Sequence, residues 1–294
     1  MDIRTLHYCV AISKELSFTK VAEQSHITQQ ALSHQIISLE RELGYQLFNR
    51  TNRSVKVTPA GEVFIEIIDG ALQLIEKAIN SGNEFSMGSK GILSIAFTGF
   101  YEQSLVISAM TRFIDTHLDI IIDVRNVLFE NAIDMLNNGI VDLICVTHFN
   151  KLVFSDKYMT RKIPSGPFKV LISSKHPMAS KEVFSNEDLM SETLVLVDHR
   201  NNDIIHSSML NDIRDMLEGM PKKVIYARDI ASVISMVQAG MGYALSPGKY
   251  KPGLSDANLA FKEAESISKE VYTQFIWLKE NNLPYITDFV DLAV

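Results

Sequence analysis

Apolar residues recur at helical spacing through the first part of the chain. Leu6, Val10 and Ile12 begin one stripe. Ser17 is a suitable N-cap for the next helix, because its hydroxyl can accept a free backbone N–H. A third helix is predicted from Thr28 to about Leu43, with a left-handed C-cap at Gly44. The stripe expected to be buried in this third helix consists of Ala31, Leu32, Ile36 and Leu39.

The opposite face of the third helix is polar, and a tight turn joins that helix to the one before it. This pattern is typical of a helix-turn-helix module that binds the DNA major groove. Residues 51–54 look like a turn and residues 55–57 alternate like a strand, which predicts a small β-wing. Gln can bond base edges, Ser and His suit phosphates or bases, and Arg suits phosphate or the minor groove. The candidate DNA-contacting residues are Thr28, Gln29, Gln30, Ser33, His34, Arg50 and Arg53.

A longer helix is predicted after the wing. Thr58 can cap it, and Pro59 suits the first turn. An a/d-type seam of about two heptads follows at Ile65, Ile68, Leu72, Ile75 and Ile79. The favoured interpretation is that this seam pairs with a second copy of the chain, and the alternative is that it packs on its own domain. Residues 81–83 and 87–91 are rich in small residues and predict a hinge.

From Gly91 onward, strand and helix patterns alternate, which indicates mainly parallel sheets with helices on both faces. The predicted strands are 92–97, 120–124, 141–146, 168–172, 193–197, 223–226, 242–245 and 272–277. The predicted helices are 102–117, 128–138, 204–216, 230–238 and 285–292. We therefore expect two α/β subdomains that are joined by crossing strands into a hinged clamshell.

Polar and aromatic residues cluster where several of these strands end, which is where open α/β sheets bind ligands. Thr98, Ser104 and Thr147 could donate hydrogen bonds to a carboxylate, and the helix after Thr98 favours an anion at its start. His148 and Arg200 could supply positive charge, whereas Glu102 and Asp229 argue against a purely anionic ligand. The alternatives are that Ser104 caps a helix, that His148 is a surface residue, and that Phe100 and Tyr101 serve packing alone.

Composition and charge refine this picture. A chain of 294 residues is long enough for about two or three domains. The net charge is −7, but residues 1–60 carry seven Lys or Arg against five Asp or Glu, so the acidic excess lies in the rest of the chain. A mildly basic head on an acidic body fits a DNA module whose body does not touch DNA.

Several other classes of protein are disfavoured. No apolar run approaches the roughly 20 residues that cross a bilayer, and the start lacks the order of a signal peptide, so we expect no membrane partner and a cytoplasmic location. Cys9 and Cys145 lie among apolar residues, which favours buried free thiols over a redox role. No metal-ligand spacing, nucleophile elbow, phosphate loop or dinucleotide fingerprint is present, so neither a cofactor nor a catalytic residue is predicted.

The N-terminal segment resembles the winged helix-turn-helix of LysR-type transcriptional regulators. The matching stretches are residues 17–23, 29–36, 39–44, 47–50 and 57–61. The resemblance implies that Gln29, Ser33, Arg50 and Arg53 contact DNA. Two positions depart from the family pattern: Gln30 stands where proline is usual, and Ile37 where a basic residue is common.

The body is similar to the effector domain of the same family, which is itself similar to periplasmic binding proteins. His176-Pro177 and residues 233–247 carry this second match. The resemblance implies dimerisation through the 59–80 helix, a tetramer built from dimers, and an effector cleft between the subdomains. The residues placed in that cleft are Thr98, Gly99, Phe100, Tyr101, Ser104, Thr147, His148, Arg200, Asp229 and Pro247.

Together these features predict a sequence-specific regulator that binds double-stranded DNA and responds to a small molecule. The expected domains are a winged helix-turn-helix (1–58), a linker helix with hinge (59–90) and an effector-binding domain (91–294). Within the last, subdomain I covers about 91–163 and 269–294, and subdomain II about 164–268. The alternatives are an α/β enzyme with a DNA-binding head, which no motif supports, and an architectural DNA-binding protein that ignores ligands.

Overall fold

The computed structural model describes residues 1–50, 54–86, 89–148, 155–198, 203–248, 258–267 and 270–293. Its internal contacts divide the chain into two compact units, Met1–Gly88 and Ser89–Val294. Within the described ranges, none of the helices combines the length and the apolar character that crossing a membrane requires.

The first unit is a helical module with a two-stranded wing and a long final helix. Its elements are α1 (Ile3–Glu15), α2 (Phe18–Gln24), α3 (Gln29–Leu43), β1 (Phe48–Arg50), β2 (Val55–Val57) and α4 (Pro59–Ser86). β1 and β2 pair antiparallel. Leu6, Ile12, Val21, Leu32 and Ile36 lie in one buried cluster, which joins the three short helices.

The helix ends of this unit follow the predicted local chemistry. Ser17 accepts a hydrogen bond from the Lys20 amide at 3.3 Å, Thr28 accepts one from the Ala31 amide at 3.1 Å, and Gly44 is left-handed with φ +80°. Ala31, however, is exposed, so its predicted place in the buried stripe is wrong. The buried residues of α3 are Leu32, Ile36 and Leu39, and Ala31 lies about 100° around the helix from Leu32, outside that stripe.

The long helix α4 differs from its prediction at its far end. It begins as expected, since the Thr58 hydroxyl accepts the Gly61 amide at 2.9 Å. It then continues through residues 81–83 to Ser86, so the prediction of a hinge at 81–83 is wrong. One glycine inside a helix costs only about 1 kcal/mol, which favourable neighbours can offset.

The second unit alternates strands and helices. Its strands are β3 (Gly91–Phe97), β4 (Ile120–Asn126), β5 (Leu143–His148), β6 (Tyr158–Ser173), β7 (Val183–Phe184), β8 (Thr193–Val197), β9 (Lys223–Ala227), β10 (Tyr243–Pro247), β11 (Leu259–Ala264) and β12 (Glu270–Leu278). Its helices are α5 (Phe100–Phe113), α6 (Phe129–Asn137), α7 (Asn186–Ser191), α8 (Asp203–Leu217), α9 (Ile230–Gln238) and α10 (Pro284–Leu292), with a 3-10 turn at Pro177–Ser180.

Two strands cross between the halves of this unit. The order β4-β3-β5-β12-β6-β10-β8-β9 runs through both halves. The first part of β6 pairs antiparallel with β12, and its last part pairs with β10 and β11. β3 pairs parallel with β4 and β5, and β8 pairs parallel with β9. The predicted fold class, two α/β subdomains joined by crossing strands, is confirmed.

Each subdomain buries both faces of its sheet. In the first, α5 and α10 cover one face through Phe113 and Phe289, and α6 covers the other through Leu136. In the second, α8 covers one face through Ile213, and α9 covers the other through Val237. The ends of the strands are therefore the part of each sheet that is left available to form a site.

Candidate functional site

The N-terminal unit presents a polar face on its third helix. Thr28, Gln29, Gln30 and His34 are exposed, and Ser33 is half-buried. Gln29 donates a side-chain hydrogen bond to the Ser33 hydroxyl at 3.3 Å. Five of the seven candidate DNA-contacting residues thus lie together at the start of α3, on the side away from the buried cluster.

Arg50 occupies a more enclosed position than its neighbours on the wing. Its guanidinium donates to Glu40 Oε2 at 3.1 Å and lies 4.3 Å from the centre of the Phe18 ring. The other carboxylate oxygen of Glu40 accepts the amides of Leu47 and Phe48 at 2.9 and 3.1 Å. Arg50 therefore fastens β1 to α2 and α3. Arg53, the remaining candidate, lies outside the described residues.

The apolar stripe of α4 divides between two surroundings. Ile65 and Leu72 are 8% and 4% exposed and belong to the core of the N-terminal unit, so the first part of the predicted seam packs on its own domain. A second apolar stripe lies on a neighbouring face of α4. This open stripe is exposed to solvent. Val63 and Ile67 are 61% and 67% exposed, and Leu74 is 40% exposed.

An apolar groove continues this open stripe. Tyr45 contributes to it from the chain between α3 and β1, with its ring centre 6.4 Å from that of Phe64. The groove is lined by Tyr45, Ala60, Val63, Phe64, Ile67 and Ile68.

The second unit contains a cavity of about 230 Å³ at the strand ends, with walls from both subdomains. Subdomain I contributes Thr98, Gly99, Tyr101, Glu102, Asn126, Val127, Leu128, Phe129 and Thr147. Subdomain II contributes Phe168, Leu171, Val195, Leu196, Val197, Met209, Asp229, Ile230, Val233, Ile234, Ala244, Leu245, Ser246 and Pro247.

Six of the predicted cleft residues are brought together in this wall, namely Thr98, Gly99, Tyr101, Thr147, Asp229 and Pro247. Ser104 is not in the wall, because it lies one turn into α5 and its hydroxyl donates to the Tyr101 carbonyl at 2.7 Å. Phe100 is the first residue of α5, and His148 is the last residue of β5, where it pairs with Tyr272. Arg200 lies outside the described residues.

The residues of the cavity wall that were not among the sequence-based candidates are mostly apolar. Residues 126–129 run from the last residue of β4 to the first residue of α6, and residues 195–197 form the end of β8. The rule that ligands bind at the carboxyl ends of parallel strands could have found both segments. Val233 and Ile234 face the cavity from the first turns of α9, and an apolar helix gives no comparable sequence signal.

Glu102 is the most buried charged residue in the wall, at 4% exposure. Its Oε1 accepts the Thr147 amide at 2.8 Å and the Thr98 hydroxyl at 3.1 Å. Burial raises the pKa of this carboxyl above its usual range, and the hydrogen bonds it accepts oppose that rise. Asp229 differs, because hydrogen bonds from Ser232 lower its pKa.

A chain of hydroxyl groups leads from the cavity into the crossing strands. Thr147 Oγ1 lies 2.6 Å from Thr273 Oγ1 on β12, which lies 2.8 Å from Ser165 Oγ on β6. Thr273 and Ser165 are fully buried. Burial raises the pKa of Tyr101, whose side chain also hydrogen-bonds Ser165. The cavity wall is therefore connected directly to both strands on which the subdomains could hinge.

Comparisons with known proteins bear on both units. A family model for the bacterial regulatory helix-turn-helix protein of the lysR family matches residues 3–62. A model for the LysR substrate binding domain matches residues 86–294.

Individual relatives match along most of their length. The transcriptional regulator AlsR of Bacillus subtilis is 27% identical over 293 residues, covering 100% of this chain and 95% of AlsR. The regulator BenM of Acinetobacter baylyi is 30% identical over 256 residues, covering 84% of this chain and 80% of BenM. The crystal structure of full-length CbnR complexed with its target DNA has a TM-score of 0.66 and 17% identity, covering 100% of this chain and 99% of CbnR.

Proposed function

This chain belongs to the LysR family of bacterial regulatory proteins, and we propose that a small molecule in the cavity of its second unit controls how its helix-turn-helix engages DNA. Family membership makes the chain a DNA-binding transcriptional regulator. The observation that carries the proposed control is the cavity itself, because both subdomains supply its wall.

DNA recognition is proposed to lie on the exposed start of α3. We propose that Gln29 and Gln30 bond base edges in the major groove and that Thr28, Ser33 and His34 bond phosphates or bases, which their accessible positions support. Arg53 is proposed to contact the backbone or minor groove. Arg50 has its guanidinium engaged by Glu40 and Phe18, so its proposed part includes holding the wing in position.

Ligand control is proposed to act through the crossing strands. A ligand that touches Tyr101, Glu102 or Thr147 lies next to the chain of hydroxyl groups. That chain runs from Thr147 through Thr273 to Ser165. β12 has a register shift between Val271 and Tyr272, opposite the segment of β6 that contains Ser165. Such irregularities bend strands locally. A ligand switches the protein only if it binds two hinge states unequally, and contact with both subdomains provides that difference.

Self-association is proposed to use the open stripe of α4. Val63, Ile67 and Leu74 recur at spacings of four and seven, as on one face of a helix that pairs with another. A dimer formed there would present two copies of α3 to two half-sites, and a tetramer would join two such dimers. Ile65 and Leu72 are buried in their own unit and take no part in this pairing, whereas Ile75 and Ile79, the last positions of the predicted seam, are 37% and 59% exposed and remain available to a partner.

We propose that the protein acts by binding double-stranded DNA in the cytoplasm, without catalysis and without a bound cofactor. The rival architectural role predicts no saturable ligand effect, whereas a real site stabilises the folded protein as ligand concentration rises.

The test is selection of bound sequences from random DNA by the purified full chain, followed by affinity measurement. We expect an imperfect inverted repeat, bound about tenfold or more weakly by Ser33→Ala and by Arg53→Ala, since a base or phosphate contact contributes about 1–3 kcal/mol. Ser191→Ala, an exposed serine in the second unit, is the matched control. Wild-type DNA affinity in both test variants would show that the recognition surface is misplaced.

A further inference from the structure

A carboxyl group of the chain lies at the start of α5. Glu102 stands at the third position of that helix and accepts the Thr147 amide, the Thr98 hydroxyl and its own amide. A β-carbon added to Gly99 would lie 2.6 Å from Glu102 Oε2, so the carboxyl lies directly over this glycine. A helix N-terminus attracts anions, and here the anion is internal.

Among the described residues, the rest of the wall offers no cation to a ligand. Glu102 and Asp229 are its charged members, one from each subdomain, and none of the described lining residues is Lys, Arg or His. Asp229 Oδ1 accepts the Ser232 amide at 2.7 Å and caps α9. Most of the remaining surface is aliphatic or aromatic, including Phe129, Phe168, Val195, Val233 and Leu245.

We infer that the cavity takes an apolar small molecule whose polar end is a hydrogen-bond donor, an amine or a hydroxyl, and that it discriminates against carboxylates. This inference rests on the proposed function, since it names the ligand class of the same cavity. A carboxylate would lose its water among apolar side chains and meet two acidic groups. A donor would instead meet Glu102, whose two carboxylate oxygens have about four acceptor positions. Thr147, Thr98 and the Glu102 amide already occupy three of them, which leaves one for a ligand.

Two further features fit this ligand class. Burial raises the pKa of Glu102, and an ammonium or hydroxyl beside it would compensate for part of that burial. The volume of about 230 Å³ lies below the usual range of about 300–1,000 Å³ for ligand pockets, which suits a compound with a single ring.

The test compares matched head groups on the wild-type full chain at neutral pH. The probes are 3-phenylpropylamine, 3-phenylpropanol and 3-phenylpropanoate, together with the corresponding benzyl and cyclohexyl series, measured by ligand-observed NMR titration and thermal shift. Ser246→Trp, which fills a half-exposed position of the wall, identifies binding in this cavity. We expect the amine and the alcohol to bind about tenfold or more tightly than the carboxylate.

Two variants test whether Glu102 causes the preference for the amine over the carboxylate. Glu102→Gln keeps an acceptor for Thr98 and Thr147 but removes the charge, so the preference for the amine should fall about tenfold. Glu76→Gln, which removes an exposed carboxylate from α4, should leave the preference unchanged. If Glu102→Gln does not fold, the preference between amine and carboxylate is measured in the wild type and in Asp229→Asn, which removes the other acidic group of the wall.

The outcomes separate this inference from the proposed function. Compounds that bind in the cavity with the carboxylate preferred, or with no effect of the head group, overturn the inference and leave ligand binding intact. An unchanged preference in Glu102→Gln overturns the assigned role of Glu102. Absence of any binding that Ser246→Trp removes would overturn the cavity as a ligand site, and the inference with it.

Discussion

Removing the open stripe of α4 should dissociate the protein without unfolding it. Val63 and Ile67 are 61% and 67% exposed, and only that exposed surface can be newly buried by a partner. Replacing both by Ala deletes five carbon groups per chain, each contributing about 0.8 kcal/mol when buried. Scaled by the exposed fraction and summed over two chains, the loss is about 5 kcal/mol, or about a thousandfold or more in the dimer dissociation constant.

Sedimentation velocity from nanomolar to tens of micromolar protein measures this constant. Val183→Ala with Met241→Ala removes apolar side chains that are 49% and 51% exposed in the second unit, and it should leave the dissociation constant unchanged. Circular dichroism verifies that the helices are retained. A Val63→Ala and Ile67→Ala double variant that dimerises as tightly as wild type would refute the assignment of this stripe.

Three further outcomes are expected. Glu40→Ala leaves the Leu47 and Phe48 amides and Arg50 without their acceptor, so the unfolding free energy should fall by about 2–4 kcal/mol in denaturant melts, whereas Glu40→Gln should lose less; equal losses would contradict this. The Glu102 pKa is raised above 4.5, so its contribution to stability declines as pH rises through the folded-state pKa. The melting temperature of Glu102→Gln relative to wild type should therefore increase between pH 4 and pH 7, and a constant difference would refute it. Thr273→Val breaks the hydroxyl chain and should reduce the effect of a ligand on DNA affinity while ligand binding persists; an undiminished response would exclude that route.

Local chemistry explains why much of the fold could be predicted from the sequence. Caps depend on neighbours within a few residues, so the positions of Ser17, Thr28 and Gly44 followed from residue type alone. The bounds of β8 and α9 agree with the patterns at 193–197 and 230–238, because each segment has one strong periodicity. The crossing strand β6 was predicted only at its end, since residues 158–167 are largely polar and pair through their backbone.

Features that depend on distant residues could not be predicted in the same way. The heptad spacing of α4 identifies apolar residues but does not show which of them α1 covers, and α1 covers the stripe that contains Ile65 and Leu72. Likewise, the glutamate at position 102 gives no local indication of burial. Its partner Thr147 lies 45 residues away along the chain, and the enclosure appears only when the strand ends meet.

The internal position of Glu102 also restricts which ligands can switch the protein. Thr98, Thr147 and Glu102 all belong to subdomain I, so their hydrogen bonds persist whether the clamshell is open or closed. A ligand that satisfied only Glu102 would bind both hinge states alike and shift neither. Selectivity for the closed state must therefore come from subdomain II, through Asp229 or through the apolar wall where Val195 and Val233 lie. Among ligands with the same hydrogen-bond-donating head group, those whose apolar part is long enough to reach that wall should change the affinity of the protein for DNA. Shorter ligands should bind in the cavity and leave the DNA affinity unchanged.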